Sequence, residues 1–282
     1  MNNKLTENDF VSVLECPWCM SVNKTFSYKS LYNSKVFYCD DCGLLYSDKI
    51  LNENGKKKYW TKYSSSIHTA DYEKNKKRSK MYEIEYNFIH RFIKEGRVLD
   101  IGCGEGEFLD LFKKDGFITE GIEYGEEAAK LASQKHKLYY GKLPEINLEI
   151  KYDLIIFRGS IQYLLNPKEY FSKAISLLNA GGLIFITSSP NADSICCKLF
   201  KDKFTLPVTP MDYFMFSEKI LDEFFLYKNM HKIVSKHFYE ETPYYREGDF
   251  DKIKKVIIGD GKDIKSPAWF DNMISVVYMK IN

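Results

Sequence analysis

The sequence predicts an α/β fold, a mostly parallel sheet with helices on both faces, preceded by a small ribbon. Three observations carry this. Short apolar strands alternate with helical patterns from residue 97 onward. The run Val98-Leu99-Asp100-Ile101-Gly102-Cys103-Gly104-Glu105-Gly106 leads a strand straight into three glycines spaced G-x-G-x-G. Two C-x-x-C pairs precede both features.

The pairs are Cys16-Pro17-Trp18-Cys19 and Cys39-Asp40-Asp41-Cys42, with 19 residues between them. Zinc sites use two such pairs about 15–20 residues apart. Four thiolates bind Zn²⁺ tetrahedrally, in a closed structural site with no open position for catalysis. Residues 12–47 therefore read as a zinc ribbon, with Gly43 as a turn residue and short strands marked by Thr25, Phe26, Tyr28, Val36, Phe37 and Tyr38. Two redox pairs, or chance cysteines in a hairpin, are the alternatives. Metal binding would supply this module's folding energy, so Cys→Ser at any ligand is expected to unfold residues 12–47 first. Cys103, Cys196 and Cys197 lack partners at ligand spacing and read as free thiols.

Residues 49–70 are polar and read as a linker. A helical pattern follows to about residue 95, with Met81, Ile84, Phe88, Ile89, Phe92 and Ile93 on one face and Gly96 as the stop. Strands are expected at 97–101, 117–123, 137–140, 152–158 and 182–188, and near 232–239 and 274–281. Helices are expected at about 106–115, 126–135, 167–179 and 217–229. Strands separated by helices imply a parallel sheet. Its ligand site lies beyond the carboxyl ends of the strands.

The 282 residues suffice for one large domain, or a medium one with an appendage. A formal net charge of +2 gives no global electrostatic case for nucleic acid. The ribbon's Lys24, Lys29 and Lys35 are partly balanced by Asp40, Asp41 and Asp48, which also argues against a nucleic-acid grip. Lysines at 56–58 and basic residues at 74–80 form either a solvated helix face or a docking surface for an anionic acceptor. No stretch approaches the roughly 18 apolar residues that span a membrane. Residues 1–10 contain no apolar signal core, so the expected location is cytoplasmic. In that compartment cysteines favour metal or redox chemistry over disulfides.

The glycine turn with Asp100 before it resembles the first motif of class I S-adenosylmethionine-dependent methyltransferases. Glu123 closes the second strand, about 20 residues on, where a carboxylate can accept from ribose hydroxyls. Tyr152-Asp153-Leu154-Ile155 resembles that family's F-D-x-I strand, and Leu178-Asn179-Ala180-Gly181-Gly182 its L-x-P-G-G turn. The whole of 12–282 is similar to members carrying an N-terminal four-cysteine zinc ribbon, of the surface-polysaccharide and deoxysugar type.

The resemblance implies a Rossmann-like fold and three segments: a ribbon at 1–48, a linker and helix at 49–95, and an S-adenosylmethionine-binding domain at 96–282. It implies cofactor contacts at Asp100, Gly102, Gly104, Glu123, Lys142, Leu143 and Arg158, and zinc at Cys16, Cys19, Cys39 and Cys42. The implied reaction is methyl transfer to an oxygen of a small acceptor, such as an anionic nucleotide sugar or glycan precursor. A sugar C-methyltransferase, or an RNA-modifying enzyme using the ribbon as its grip, is the alternative. Many relatives carry a histidine and then Glu-His after the fourth strand, where this chain has Gly159, Gln162 and Tyr163. Base candidates therefore come from acceptor-side segments: Tyr163, Asp212 and His237 first, then Asn191 and Tyr213. The long loop from Ser188 to Ser217 is expected to cover the acceptor.

Overall fold

The computed structural model describes residues 5–60, 72–261 and 263–281. The chain opens with β1 (Phe10–Ser12), β2 (Lys24–Lys29), β3 (Lys35–Cys39), β4 (Leu45–Ser47) and β5 (Lys49–Leu51), then α1 (Glu53–Trp60) and α2 (Tyr72–Ile89). Next come β6 (Arg97–Ile101), α3 (Glu107–Lys114), β7 (Ile118–Glu123), α4 (Glu126–Ala132), β8 (Lys137–Tyr140) and β9 (Tyr152–Arg158). The last third comprises α5 (Pro167–Leu177), β10 (Leu178–Pro190), α6 (Ile195–Phe200), β11 (Phe214–Met215), α7 (Glu218–Tyr227), β12 (Met230–Ser235), α8 (Asp249–Ile257) and β13 (Met273–Lys280).

The main sheet has the order β12-β13-β10-β9-β6-β7-β8. Strands β10, β9, β6, β7 and β8 are parallel neighbours, and β13 runs antiparallel to β10 and β12. The fold is the expected Rossmann-like α/β sheet. The chain proceeds from β6 outward through β7 and β8, then returns to β6's other side with β9. A switch point therefore lies at the carboxyl end of β6, where such sheets bind ligands.

Sequence explains the central strands directly. Leu154, Ile155, Ile156 and Phe157 in β9 are all fully buried, because helices cover both faces of a parallel sheet and a near-continuous apolar run results. Phe108, Leu109 and Phe112 put one stripe of α3 against the sheet. Pro167 starts α5 where its missing N–H costs nothing. The Ser217 hydroxyl caps α7 by accepting from the Ile220 amide at 3.3 Å.

Two expectations change. Residues 49–60, read as linker, form β5 and α1; the rest of that stretch, 61–70, lies outside the described residues. The ribbon is not a separate appendage. Its sheet has the order β11-β4-β3-β2, so β11, from the loop after β10, is its outer strand. Cys16, Trp18, Cys39, Leu44 and Tyr46 share one apolar core with Ile101, Phe157, Phe171 and Phe216. Loss of Cys16 or Cys39 would therefore disturb more than residues 12–47.

Candidate functional site

At the end of β6 the chain turns through Gly102 and Gly104, at φ of +79° and +56°. Only glycine adopts this left-handed region freely. A Cβ on Gly102 would stand 3.0 Å from that of Ser160, whereas one on Gly104 would meet nothing within 4 Å. The Gly104 backbone thus faces open space. Glu123 at the end of β7 reaches across to it. One carboxylate oxygen accepts from the Gly104 amide at 2.8 Å, the other from Tyr124 and Gly125 at 2.8 and 2.6 Å. Burial pushes the Glu123 pKa up, and the three amides pull it back.

Asp100 is 2% exposed, and its Oδ1 has no hydrogen-bond partner. Burial raises its pKa to about 7, with Arg158 acting to lower it and Glu123 and Glu85 to raise it. Arg158 donates from Nε to Glu85 at 2.6 Å and lies 4.2 Å from the Tyr82 ring centre. The other Glu85 oxygen accepts from Thr187 and Ser188 at 2.8 and 2.6 Å. Glu85 was not anticipated, although the sequence carried a signal. It stands four residues after Met81 and four before Ile89, inside the apolar stripe of α2, where a carboxylate requires a partner.

These groups border one cavity of about 670 Å³. Asp100, Gly102, Gly104, Glu123, Lys142, Leu143 and Arg158 all line it, as do Tyr163 and Tyr213 at the ends of the later strands. Trp60 of α1, also unanticipated, meets Tyr163 edge-on at 5.1 Å. The described cations on the wall are all paired: Lys56 with Glu53, Arg78 with Glu107, Lys142 with Glu53 and Glu145, and Arg158 with Glu85.

Of the three leading base candidates, the structure joins two. Asp212 is half-buried and accepts from the Thr209 hydroxyl at 3.0 Å; burial raises its pKa, while Tyr163 and Thr209 act to lower it. His237 is not part of the cavity wall. Its Nε2 and Nδ1 stand 2.9 Å from Glu218 and Asp271, and these two carboxylates raise its pKa to about 10. It is an imidazolium at neutral pH with no free nitrogen, which removes it as a base. Asn191 serves the backbone, accepting from the Asp193 amide at 3.0 Å.

The second site is the cysteine cluster. The four Sγ atoms of Cys16, Cys19, Cys39 and Cys42 lie within 4.8 Å of one another. The pairs Cys16–Cys42 and Cys19–Cys39 are 3.5 Å apart, and all four are free thiols. A tetrahedron with Zn–S bonds of about 2.3 Å has edges of about 3.8 Å, so the donor set fits zinc in type, number and spacing. Cys103 is buried and its pKa is raised by desolvation, so it is an inert thiol.

A family model described as a methyltransferase domain matches residues 72–242. The uncharacterized protein MJ1123 of Methanocaldococcus jannaschii is 28% identical over 125 residues, 44% of this chain and 58% of that one. The ubiquinone biosynthesis O-methyltransferase of Vibrio vulnificus is 26% identical over 102 residues, 33% of this chain and 43% of that one. The chain thus spans about half the length of these curated relatives. The fold is shared with the magnesium protoporphyrin IX methyltransferase of Synechocystis PCC 6803 with bound S-adenosylhomocysteine. That match has a TM-score of 0.52 at 12% identity, covering 74% of this chain and 88% of the other.

Proposed function

Because the chain belongs to the methyltransferase-domain family, we propose that it transfers a methyl group from S-adenosylmethionine to an oxygen of a small acceptor. A sugar hydroxyl of a glycan precursor or nucleotide sugar is the acceptor class. The observation that carries this reading is the cavity at the switch point. It joins the open Gly104 backbone, the Glu123 carboxylate and the unpartnered Asp100 oxygen at one end to Tyr163 and Tyr213 at the other. The first three fit the cofactor: backbone room for its adenosine, a carboxylate for its ribose and a buried acceptor for its ammonium.

When bound, the cofactor supplies a sulfonium methyl that is already a good electrophile. Glu123, Gly102 and Gly104 fix one end of the cavity. Trp60 and Tyr163, both half-buried on the cavity wall, offer aromatic surface that suits a sugar ring, and the buried Tyr213 backs them. Alignment of acceptor and methyl carries most of the acceleration. Tyr163 would take the acceptor's hydroxyl proton during transfer and hand its own to Asp212, the carboxylate whose pKa it influences. The raised Asp212 pKa makes it a better base than an exposed aspartate. We further propose that the four thiolates hold one structural Zn²⁺, and that the enzyme works in the cytoplasm. No helix among the described residues is long and apolar enough to cross a membrane.

A radiolabelled methyl-transfer screen against nucleotide sugars and glycan precursors tests this reading. Tyr163→Phe and Asp212→Asn should each slow transfer, by no more than the ~10⁴-fold usual for a general base. Incorporation into RNA with none into sugars would overturn the acceptor class. Full rates in both variants would overturn the proton path.

A further inference from the structure

The ribbon and the acceptor side of the cavity are physically one structure. Cys39 is the last residue of β3, and its amide donates to Leu44 O at 2.9 Å while Gly43 donates back to Cys39 O at 2.8 Å. This knuckle delivers the chain directly into β4. On its far edge β4 pairs with β11, with Tyr46 opposite Phe214 and Leu45 opposite Met215. A two-residue strand has no stability alone and forms only against a template. Further bonds tie the same loop to the ribbon. The Ser47 amide donates to Tyr213 O and the Leu51 amide to Pro210 O, each at 3.2 Å. Ser30 Oγ donates to Val208 O at 2.7 Å, and the Val208 amide to the Tyr28 hydroxyl at 2.9 Å.

Trp18, between the first two cysteines, adds a second link. Its ring packs edge-on against Phe216 and Phe224, with centroids 5.5 and 5.4 Å away. Residues 208–216 thus hang from the ribbon on one side. On the other, the Tyr213 amide donates to Gln162 O at 2.9 Å, next to Tyr163. The cofactor end is held differently: Gly102 and Cys103 donate to Ile122 O at 2.8 and 3.1 Å, and Gly104 to Glu123. Those bonds lie wholly within β6, β7 and the turns after them.

We infer that the four-cysteine site anchors the acceptor wall. With a metal ion drawing the two knuckles together, β4 becomes a fixed edge on which β11 forms, and this sets Tyr213, Asp212 and Tyr163 at the cavity. Cys16, Cys19, Cys39 and Cys42 are positioning residues for the acceptor end; the hydrogen bonds that hold the cofactor end run within β6, β7 and the turns after them. The role given to Tyr213, Asp212 and Tyr163 rests on the methyl-transfer reading; the coupling between metal and loop does not. Linkage makes the coupling reciprocal, so the loop must also tighten the metal site.

The test uses the full-length, zinc-loaded protein and the same protein after chelation. Hydrogen exchange should rise by about tenfold or more in peptides spanning 208–216 on metal removal, as a coupling of ordinary size requires. Peptides of β6 and β7 should keep their protection, and S-adenosylhomocysteine should bind both forms equally by calorimetry. In the reverse direction, Phe216→Ala should weaken Zn²⁺ binding in competition with a colorimetric chelator. Unchanged protection across 208–216 after chelation would overturn the inference. So would loss of β6 and β7 protection with it, since the metal would then hold the whole fold, and so would unchanged zinc affinity in Phe216→Ala. If S-adenosylhomocysteine binds neither form, the proposed function fails, while the exchange and zinc readouts still decide the coupling.

Discussion

Replacing Glu123 separates its two tasks in the structure. Its carboxylate accepts three backbone amides, at 2.8, 2.8 and 2.6 Å, and faces the cavity. Under the proposed function it also accepts from ribose hydroxyls. A hydrogen bond to a charged acceptor contributes about 1.5–3 kcal/mol. At 1.4 kcal/mol per tenfold, losing it weakens S-adenosylhomocysteine binding by about 10–150-fold in Glu123→Ala. That variant also leaves the amides of Gly104, Tyr124 and Gly125 without their acceptor, so its melting temperature should fall. Glu123→Gln keeps one carbonyl oxygen. A neutral bond is worth about 0.5–1.5 kcal/mol, so part of the affinity should survive. Its NH₂ must still face either the Gly104 amide or the other two, so some thermal stability should go with either rotamer. Calorimetry with S-adenosylhomocysteine, run below the melting temperature of both variants, reads the binding term, and thermal melts read the turn. Wild-type affinity in a folded Glu123→Ala protein would refute the reasoning and place the ribose elsewhere.

Other outcomes follow from the same geometry. Asp100, with its pKa near 7, is largely protonated at pH 6, and a ligand ammonium favours its charged form. S-adenosylhomocysteine affinity should therefore rise with pH from about 5 to 8, and calorimetry at pH 6 in buffers of differing ionisation heat should show proton release; no proton exchange would count against Asp100 as the ammonium acceptor. For His237 the folded-state pKa is raised, so its stabilisation is complete below the unfolded value of about 6.5 and is lost as pH rises through about 10. His237→Gln should thus lower the melting temperature at pH 6, by an amount that shrinks toward pH 10, and leave the transfer rate unchanged; a lost transfer rate would restore it as a base. Glu85→Ala strands Arg158 and the Ser188 hydroxyl, while Thr187 keeps Ser275 as a partner at 2.7 Å. It should cost about 3–5 kcal/mol in urea unfolding, as removing one partner of a buried pair does, and a loss below 1 kcal/mol would show that solvent reaches the pair.

What was legible in the sequence was local. The glycine turn, Glu123 at a strand end and the unbroken apolar run of β9 each follow from a few adjacent residues. They indicated the sheet and its switch point. The paired cysteines likewise gave the thiol cluster from spacing alone. What escaped was long-range. Glu85 meets Arg158 across 73 positions, and only its place inside an apolar stripe hinted at a buried partner. β11 has two residues and no strand pattern of its own, because its template is residues 45–47. The ribbon therefore read as a separate module, when its sheet takes in β11 from the loop after β10. His237 looked available because its sequence neighbours do not show Glu218 and Asp271, which close on it from α7 and from the segment before β13.

The central proposal is that one cavity holds the cofactor at the ends of β6 and β7 and turns its methyl group toward an acceptor lying against Tyr163. A crystal structure of the zinc-loaded protein with S-adenosylhomocysteine tests it most directly. The account predicts the ribose hydroxyls on Glu123, the ammonium against Asp100, the adenosine backbone-on to Gly104, and the sulfur turned toward Tyr163 and Tyr213. Ligand density in another cavity, or in this one with the sulfur turned toward Lys142 and Leu143, would contradict it.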